Sequence, residues 1–198
     1  MNLIKFCEDI YNEAHGHHGH HHTHKDRNDN MPQFNKKGDW YHDGVCTHYD
    51  GLKMEDLWLE PNGHKLSCGF LVEDETTGLY LGCRPTGSRS GRYDIPKGCR
   101  GLDGTDLENA IRELKEETGI ELTGNENIED LGKFDHLDDK DIHLFKVTIP
   151  VDIKTLHCDS MFKDFRDGAL KPEVDDFKLL DDVSMFLRSL QDMLNQTI

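Results

Sequence analysis

Glu113, Glu116 and Glu117 are the residues in this sequence whose type and spacing most directly suggest chemistry. At 100° per residue on an α-helix they fall within about 100° of arc. Carboxylates crowded on one face repel each other unless a cation sits among them. Hard oxygen donors of this kind select Mg²⁺ or Mn²⁺ over softer metals. Arg112 directly precedes the first of them, and the glycine-bearing turn Pro96-Lys97-Gly98 lies upstream. The whole stretch reads PKGCRGLDGTDLENAIRELKEETGI, from Pro96 to Ile120.

The helix needed to present these glutamates is well marked. Thr105 and Glu108 form a T-x-x-E capping box, and Gly119 suits the position just past the C-terminus, so the helix is expected from about Asp106 to Thr118. Leu107, Ala110, Ile111 and Leu114 occupy an adjacent arc that can face a core. Upstream, Lys65 to Val72 (KLSCGFLV) reads as a largely buried strand. The turn Glu73 to Gly78 joins it to a second strand, Leu79 to Arg84, which suggests a hairpin. A Gly- and Ser-rich loop from Pro85 to Arg92 carries Arg89 and Arg92, and Tyr93 to Ile95 reads as a short strand. Downstream, Leu131 to Leu137 and Ile142 to Ile149 form an antiparallel pair around an Asp138–Asp141 turn. Met161 to Lys171 reads as loop, Val174 to Leu180 as strand, and Val183 to Leu194 as an amphipathic helix. The resulting fold class is α+β: an α-β-α sandwich with a mixed sheet flanked by helices.

With 198 residues, the chain has room for one domain with an extension, or at most two small domains. A formal net charge of −16 argues against general affinity for nucleic acid or anionic membrane. No apolar run approaches the ~18 residues of a membrane span, and the N-terminus lacks the basic-then-apolar order of a signal peptide. Cys7, Cys46, Cys68, Cys83, Cys99 and Cys158 are scattered, without C-x-x-C or zinc-type spacing. Free thiols in a reducing cytoplasm are therefore expected.

The first sixty residues read differently. Leu3, Ile4, Cys7, Ile10, Tyr11 and Ala14 recur at helical spacing, predicting a short amphipathic helix over residues 2 to 14 that docks on the main domain. HGHHGHHHTH, His15 to His24, is too polar and glycine-rich to fold alone, and its imidazoles would retain Zn, Ni or Cu incidentally. The segment from Asp39 to Glu60 carries Trp40 and Trp58 and two Asp-Gly turns. Its His42, His48 and Asp50 read as surface turn residues. The turn Pro61-Asn62-Gly63 sets the expected boundary, giving an extension over 1–62 and a main domain over 63–198.

The Pro96–Ile120 stretch resembles the signature of the Nudix hydrolase family, G-x5-E-x7-R-E-U-x-E-E-x-G-U with U aliphatic. Gly98, Arg112, Glu113, Leu114, Glu116, Glu117, Gly119 and Ile120 match at the family spacing. One position departs: Gly104 stands where the family has its first glutamate. The likeness extends from Lys65 toward the C-terminus and leaves the first sixty residues unexplained.

The resemblance implies hydrolysis of a pyrophosphate bond in a nucleoside diphosphate-linked substrate, with divalent cations bridging the phosphates. It implies Glu116 and Glu117 as metal ligands and Glu113 as ligand or base. In the family, Arg112 would orient carboxylates by pairing with the glutamate missing here; Glu108, one helical turn earlier, or Asp103 offers a substitute partner. Glu173, in KPEVDDF, is the candidate for a further ligand or base from outside the motif. Gly98 allows close approach of the loop, and Arg84 and Lys97 are the leading candidates for phosphate contact, ahead of Arg89 and Arg92. Phe134, His136, Phe145 and Phe162 are candidates to stack on a base, with Phe145 better suited to the core.

The markers that sort the family's subfamilies are absent: Phe134 and Asp135 stand where ADP-ribose enzymes carry a proline, and His136 or Leu137 where diadenosine polyphosphate enzymes carry a tyrosine. A dinucleoside polyphosphate, a nucleotide sugar or ADP-ribose, and an NTP-like molecule all remain open, as does an RNA 5′ end. A reading from another class is a nucleotide- or metal-binding regulator that has lost turnover through Gly104.

Overall fold

The computed structural model describes residues 58–164 and 167–198, together with the backbone of three short strands upstream. These are β1 (Gln33–Phe34), β2 (Trp40–His42) and β3 (Val45–Thr47), paired antiparallel in that order. The expected helix over 2–14, the His15–His24 tract, His48 and Asp50 lie outside the described residues.

The main domain is built around β4 (Lys65–Asp74), whose residues are buried except for a half-exposed Glu73. Such a strand needs cover on both faces and partners on both edges. One edge is taken by β8 (Lys140–Ile149), parallel and in register from Lys65↔Lys140 to Asp74↔Ile149. Antiparallel to β8 runs β7 (Ile128–Leu137), which places the 131–149 hairpin where its pattern predicted. On the other side come β5 (Tyr80–Pro85) and β11 (Val174–Leu180), giving the order β11-β5-β4-β8-β7.

The β4–β5 hairpin closes only at Glu73↔Tyr80 and then splays. The segment after Arg92 fills the gap. Asp94 exchanges backbone hydrogen bonds with Cys83 of β5 at 2.7 and 2.8 Å, and β6 (Lys97–Cys99) pairs with β4 at Gly69, Cys68 and Ser67. The PKG segment is thus a strand rather than a free turn. Gly69 permits it, since a Cβ there would overlap Lys97 and the Pro96 carbonyl.

Helix α1 (Asp106–Thr118) covers one face of the sheet. Thr105 accepts from the Glu108 N–H, and the Glu108 carboxylate accepts from the Thr105 N–H at 2.7 Å, completing the capping box. Gly119 ends the helix at φ 73°, donating its N–H to the Lys115 carbonyl. Ala110 and Leu114, both inaccessible, pack with Cys68, Phe70 and Val72. Burying Leu114 alone contributes about 2 kcal/mol.

The opposite face is covered by α2 (Arg188–Thr197), through Leu190, Met193 and Leu194 against Leu71, Ile142 and Leu144. The mixed α-β-α arrangement is as expected, but α2 starts later than its apolar spacing predicted. The backbone of Met185 and Leu187 is bonded to Tyr93 at 2.9 and 2.8 Å, which holds this segment extended and leaves only a 3-10 turn at Val183–Met185. The expected loop at 161–171 also contains structure: β9 (Met161–Lys163) and β10 (Leu170–Pro172) form a hairpin, clasped by Lys171 on Asp164 and Asp167. Cys68, Cys83, Cys99 and Cys158 are free thiols. Among the described residues no helix is long and apolar enough to cross a membrane.

Candidate active site

The strand β6 and the helix α1 meet at Gly98 and Glu113. The Glu113 side chain is 2% exposed and occupies the space that a Cβ on residue 98 would take. Arg112 forms ion pairs with Glu113 and, at 2.8 Å, with Glu116, and it donates to the Cys99 carbonyl at 3.3 Å. The expected substitute partners are therefore not used. Glu108 spends its carboxylate on the Thr105 N–H and hydroxyl, and neither it nor Asp103 pairs with Arg112.

Glu117, one helical turn beyond Glu113, also faces β6. It is 8% exposed and accepts from the Lys97 N–H at 3.2 Å. Burial pushes its carboxyl well above the usual carboxylate range. The charges of Glu113, Glu173 and Asp94 push the same way, against the opposing pull of Lys97. The Lys97 ammonium is itself held by Asp94 at 2.5 Å.

Glu173 enters from the C-terminal side, between β10 and β11. Its N–H donates to the Ser160 carbonyl at 2.9 Å and its carbonyl accepts from Thr86 at 2.8 Å. The Asp159 and Ser160 N–H groups donate to the Glu116 carbonyl at 2.7 and 3.1 Å, so the base of the β9–β10 hairpin is tied to the last turn of α1.

These contacts bring Glu113, Glu117, Glu173, Lys97 and Gly98 into one neighbourhood, with Glu116 on its solvent side, 42% exposed. Asp94 belongs to the same group and escaped sequence reading. Its only signal was its place three residues before Lys97. Arg84 is engaged elsewhere, by Asp175 at 2.7 Å and Asp176 at 3.3 Å, with Tyr93 also donating to Asp176.

The aromatic candidates are dispersed. Phe134 packs in the α2-side core, and Phe145 lies in the α1-side core, stacked on His143. His136 is held neutral, its pKa lowered to about 3 by burial and by Lys97 and Lys140. Phe162 lies on β9, half-buried.

The donor set suits a hard divalent cation. Among the described residues no three His, Cys, Asp or Glu side chains already converge as ligands, and the Arg112 guanidinium pairs with both Glu113 and Glu116. Two features nevertheless fit a cation. Gly98 leaves a seat for the Glu113 carboxylate, and the crowding of acidic groups around Glu117 is a charge excess that a divalent ion would relieve.

A family profile described as NUDIX domain matches residues 63–177. An uncharacterised 17.7 kDa protein from the e–segB intergenic region of Enterobacteria phage T4 is 38% identical over 123 residues, 58% of this chain and 81% of the phage protein. Two solved structures share the fold at a TM-score of 0.50 each. The dihydroneopterin triphosphate pyrophosphohydrolase of E. coli is 13% identical over 72% of this chain and 99% of its own. A C. elegans Ap4A hydrolase is 16% identical over 67% of this chain and 94% of its own. Members of the matched family generally work with divalent metal ions. On the match at 63–177, the chain belongs to the Nudix family and is a hydrolase acting on the pyrophosphate bond of a nucleotide-linked substrate.

Proposed function

We propose that the chain hydrolyses a small nucleoside diphosphate-linked molecule with Mg²⁺ or Mn²⁺, using the acidic group that α1 presents beside β6. The observation that carries this reading is the buried Glu117 carboxyl beside Glu113, Glu173 and Asp94. Glu113, Glu116 and Glu117 would hold the metal, with Arg112 surrendering its pairs to them as the site loads. When bound, a divalent ion supplies charge neutralisation for the pyrophosphate oxygens and lowers the pKa of a coordinated water.

The chain's own residues do the rest. Glu173 takes the proton of the attacking water. Lys97 fixes Glu117 through its backbone N–H and offers its ammonium to a phosphate oxygen in exchange for Asp94. Gly98 lets the substrate and the Glu113 carboxylate approach the β6 backbone closely. Arg84 serves as an outer phosphate contact that must exchange Asp175 and Asp176 for substrate. We further place the catalytic domain at 63–198 and the protein in the cytoplasm, a compartment that suits the free thiols of Cys68, Cys83, Cys99 and Cys158.

The test is a substrate panel with Mg²⁺ and Mn²⁺, products resolved by chromatography. It comprises ADP-ribose, NADH, FAD, dinucleoside polyphosphates, dNTPs and 5′-triphosphate or capped RNA. Metal-dependent release of a nucleoside monophosphate from a small-molecule member supports the reading. Turnover of the RNA substrates alone would move the assignment to RNA 5′ ends, and no turnover of any member would overturn it.

A further inference from the structure

The loop Gly101–Gly104 joins the strand that seats Glu113 to the helix that carries it, and its one carboxylate, Asp103, is not among the ion-pair partners of Arg112, which are Glu113 and Glu116. Gly104 sits at φ 77°, where a side chain is strained, and Arg112 has turned to Glu113 and Glu116. A cavity of about 520 Å³ opens beside the loop, lined by Leu102, Asp103, Glu108 and Arg112 among others. Something other than an arginine–glutamate pair must therefore hold this loop to α1.

Arg100 does so. Its side chain is 9% exposed and its donors are distributed over the loop and the helix start: Nε to Asp106 at 2.5 Å, Nη1 to the Gly101 carbonyl at 3.0 Å, and Nη2 to the Gly104 carbonyl at 2.9 Å. Its guanidinium lies 4.1 Å from the centre of the Trp58 ring, and its backbone is bonded to Leu66 of β4 and to Trp58. Asp106, the first residue of α1, passes the connection on to His143 of β8 at 2.8 Å and to Lys133 of β7 at 3.5 Å. Asn109 completes the clasp by accepting from the Gly101 N–H at 3.1 Å. A buried, planar, multiply bonded guanidinium is a rigid fixture that lysine cannot reproduce in full.

We infer that Arg100 is a positioning residue for the hydrolytic site, setting the separation of Gly98 from the Glu113 and Glu117 carboxylates in place of a loop glutamate. The inference rests on the proposed function for its kinetic readout and stands on metal affinity without it. Residues that orient ligands from behind are worth about 10–100-fold in metal affinity or activity.

The experiment compares full-length wild type, Arg100→Met and Arg100→Lys for Mn²⁺ affinity by electron paramagnetic resonance, for kcat and KM on the best panel substrate, and for thermal melting. Arg100→Met is expected to weaken Mn²⁺ binding and lower kcat by about 10–100-fold with KM within about twofold. Arg100→Lys should recover part of both. Wild-type Mn²⁺ affinity and kcat in Arg100→Met would overturn the inference, as would a loss that follows melting temperature and is not recovered by lysine. If Arg100→Met lacks a cooperative melt, Arg100→Lys decides: intermediate affinity and kcat support positioning, and wild-type values overturn it. A wild type that binds Mn²⁺ but turns over nothing would remove the proposed function while leaving the affinity comparison intact.

Discussion

The carboxyl group of Glu113 rests against the bare Cα of Gly98, with no room between strand and helix for a single additional methyl. Because Glu113 is 2% exposed, it cannot swing into solvent to make room. Gly98→Ala should therefore displace a carboxylate of the proposed metal site. A misplacement on the order of 1 Å costs about 10²-fold in rate, while overpacking costs about 1–3 kcal/mol in stability. Steady-state hydrolysis together with a thermal melt checks this, and unchanged turnover in the alanine variant would refute it.

Glu117→Gln separates function from stability. The glutamine still accepts from the Lys97 N–H, but the cost of burying an ionisable carboxyl among Glu113, Glu173 and Asp94 is removed. Hydrolysis should fall by at least about two orders of magnitude. The melting temperature without added metal should rise, by about 2–4 °C for each kcal/mol released. A fall in melting temperature would mean that Glu117 is not held against its surroundings.

Asp74 gives the protein an acid-sensitive turn. It accepts from the Thr77 hydroxyl at 2.6 Å, the Val151 N–H at 2.9 Å and the Thr77 N–H at 3.0 Å, and these bonds hold its carboxyl below the usual range against the effect of burial. A depressed folded-state pKa contributes stability above the unfolded value of about 3.9, and that contribution disappears as pH falls through the folded value. Asp74→Asn should be less stable than wild type at pH 7, and the gap should close below about pH 4. Denaturant unfolding at a series of pH values measures it; a gap that widens on acidification contradicts it.

The two ends of α1 differ in what they tolerate. Thr105→Ala removes the capping acceptor and should cost about 1 kcal/mol. Gly119→Ala should cost more, because the residue is left-handed at φ 73° and its Cβ would meet the His157 ring. Equal losses in the two melts would show that the His157 contact yields freely.

Helix α1 was legible because its cap, its apolar arc and its closing glycine are all local signals, and the three glutamates came with it. β4 and β8 were legible as long apolar runs. β6 was not: it is three residues long, begins beside a proline, and exists only because a distant Gly69 gives it room. The β9–β10 hairpin hid for the same reason, with short strands around a charged tip. The start of α2 was misplaced because backbone bonds to Tyr93, far upstream, compete with helical ones. The partner of Arg112 was open to correction from sequence alone. The capping box that marks the helix start already gives Glu108 a competing use, with one carboxylate oxygen on the Thr105 N–H and hydroxyl. Asp94 and Arg100 required the folded chain, since each is a single charged residue whose meaning comes from what the sheet sets beside it.

The parallel match of β4 to β8 also orders events during synthesis. Helix α1 lies between these strands in sequence, so it can meet β4 and β6 early, but β4 lacks its long parallel partner until Ile149 has been made. Until then β4 is an apolar ribbon with one edge waiting for a partner far along the chain, the kind of non-local pairing that folds slowly and is exposed to aggregation. A chain ending soon after Ile120 would carry all of the Nudix motif residues that this protein has, with β4, β5 and β6 but without the β8 and β11 that complete the sheet.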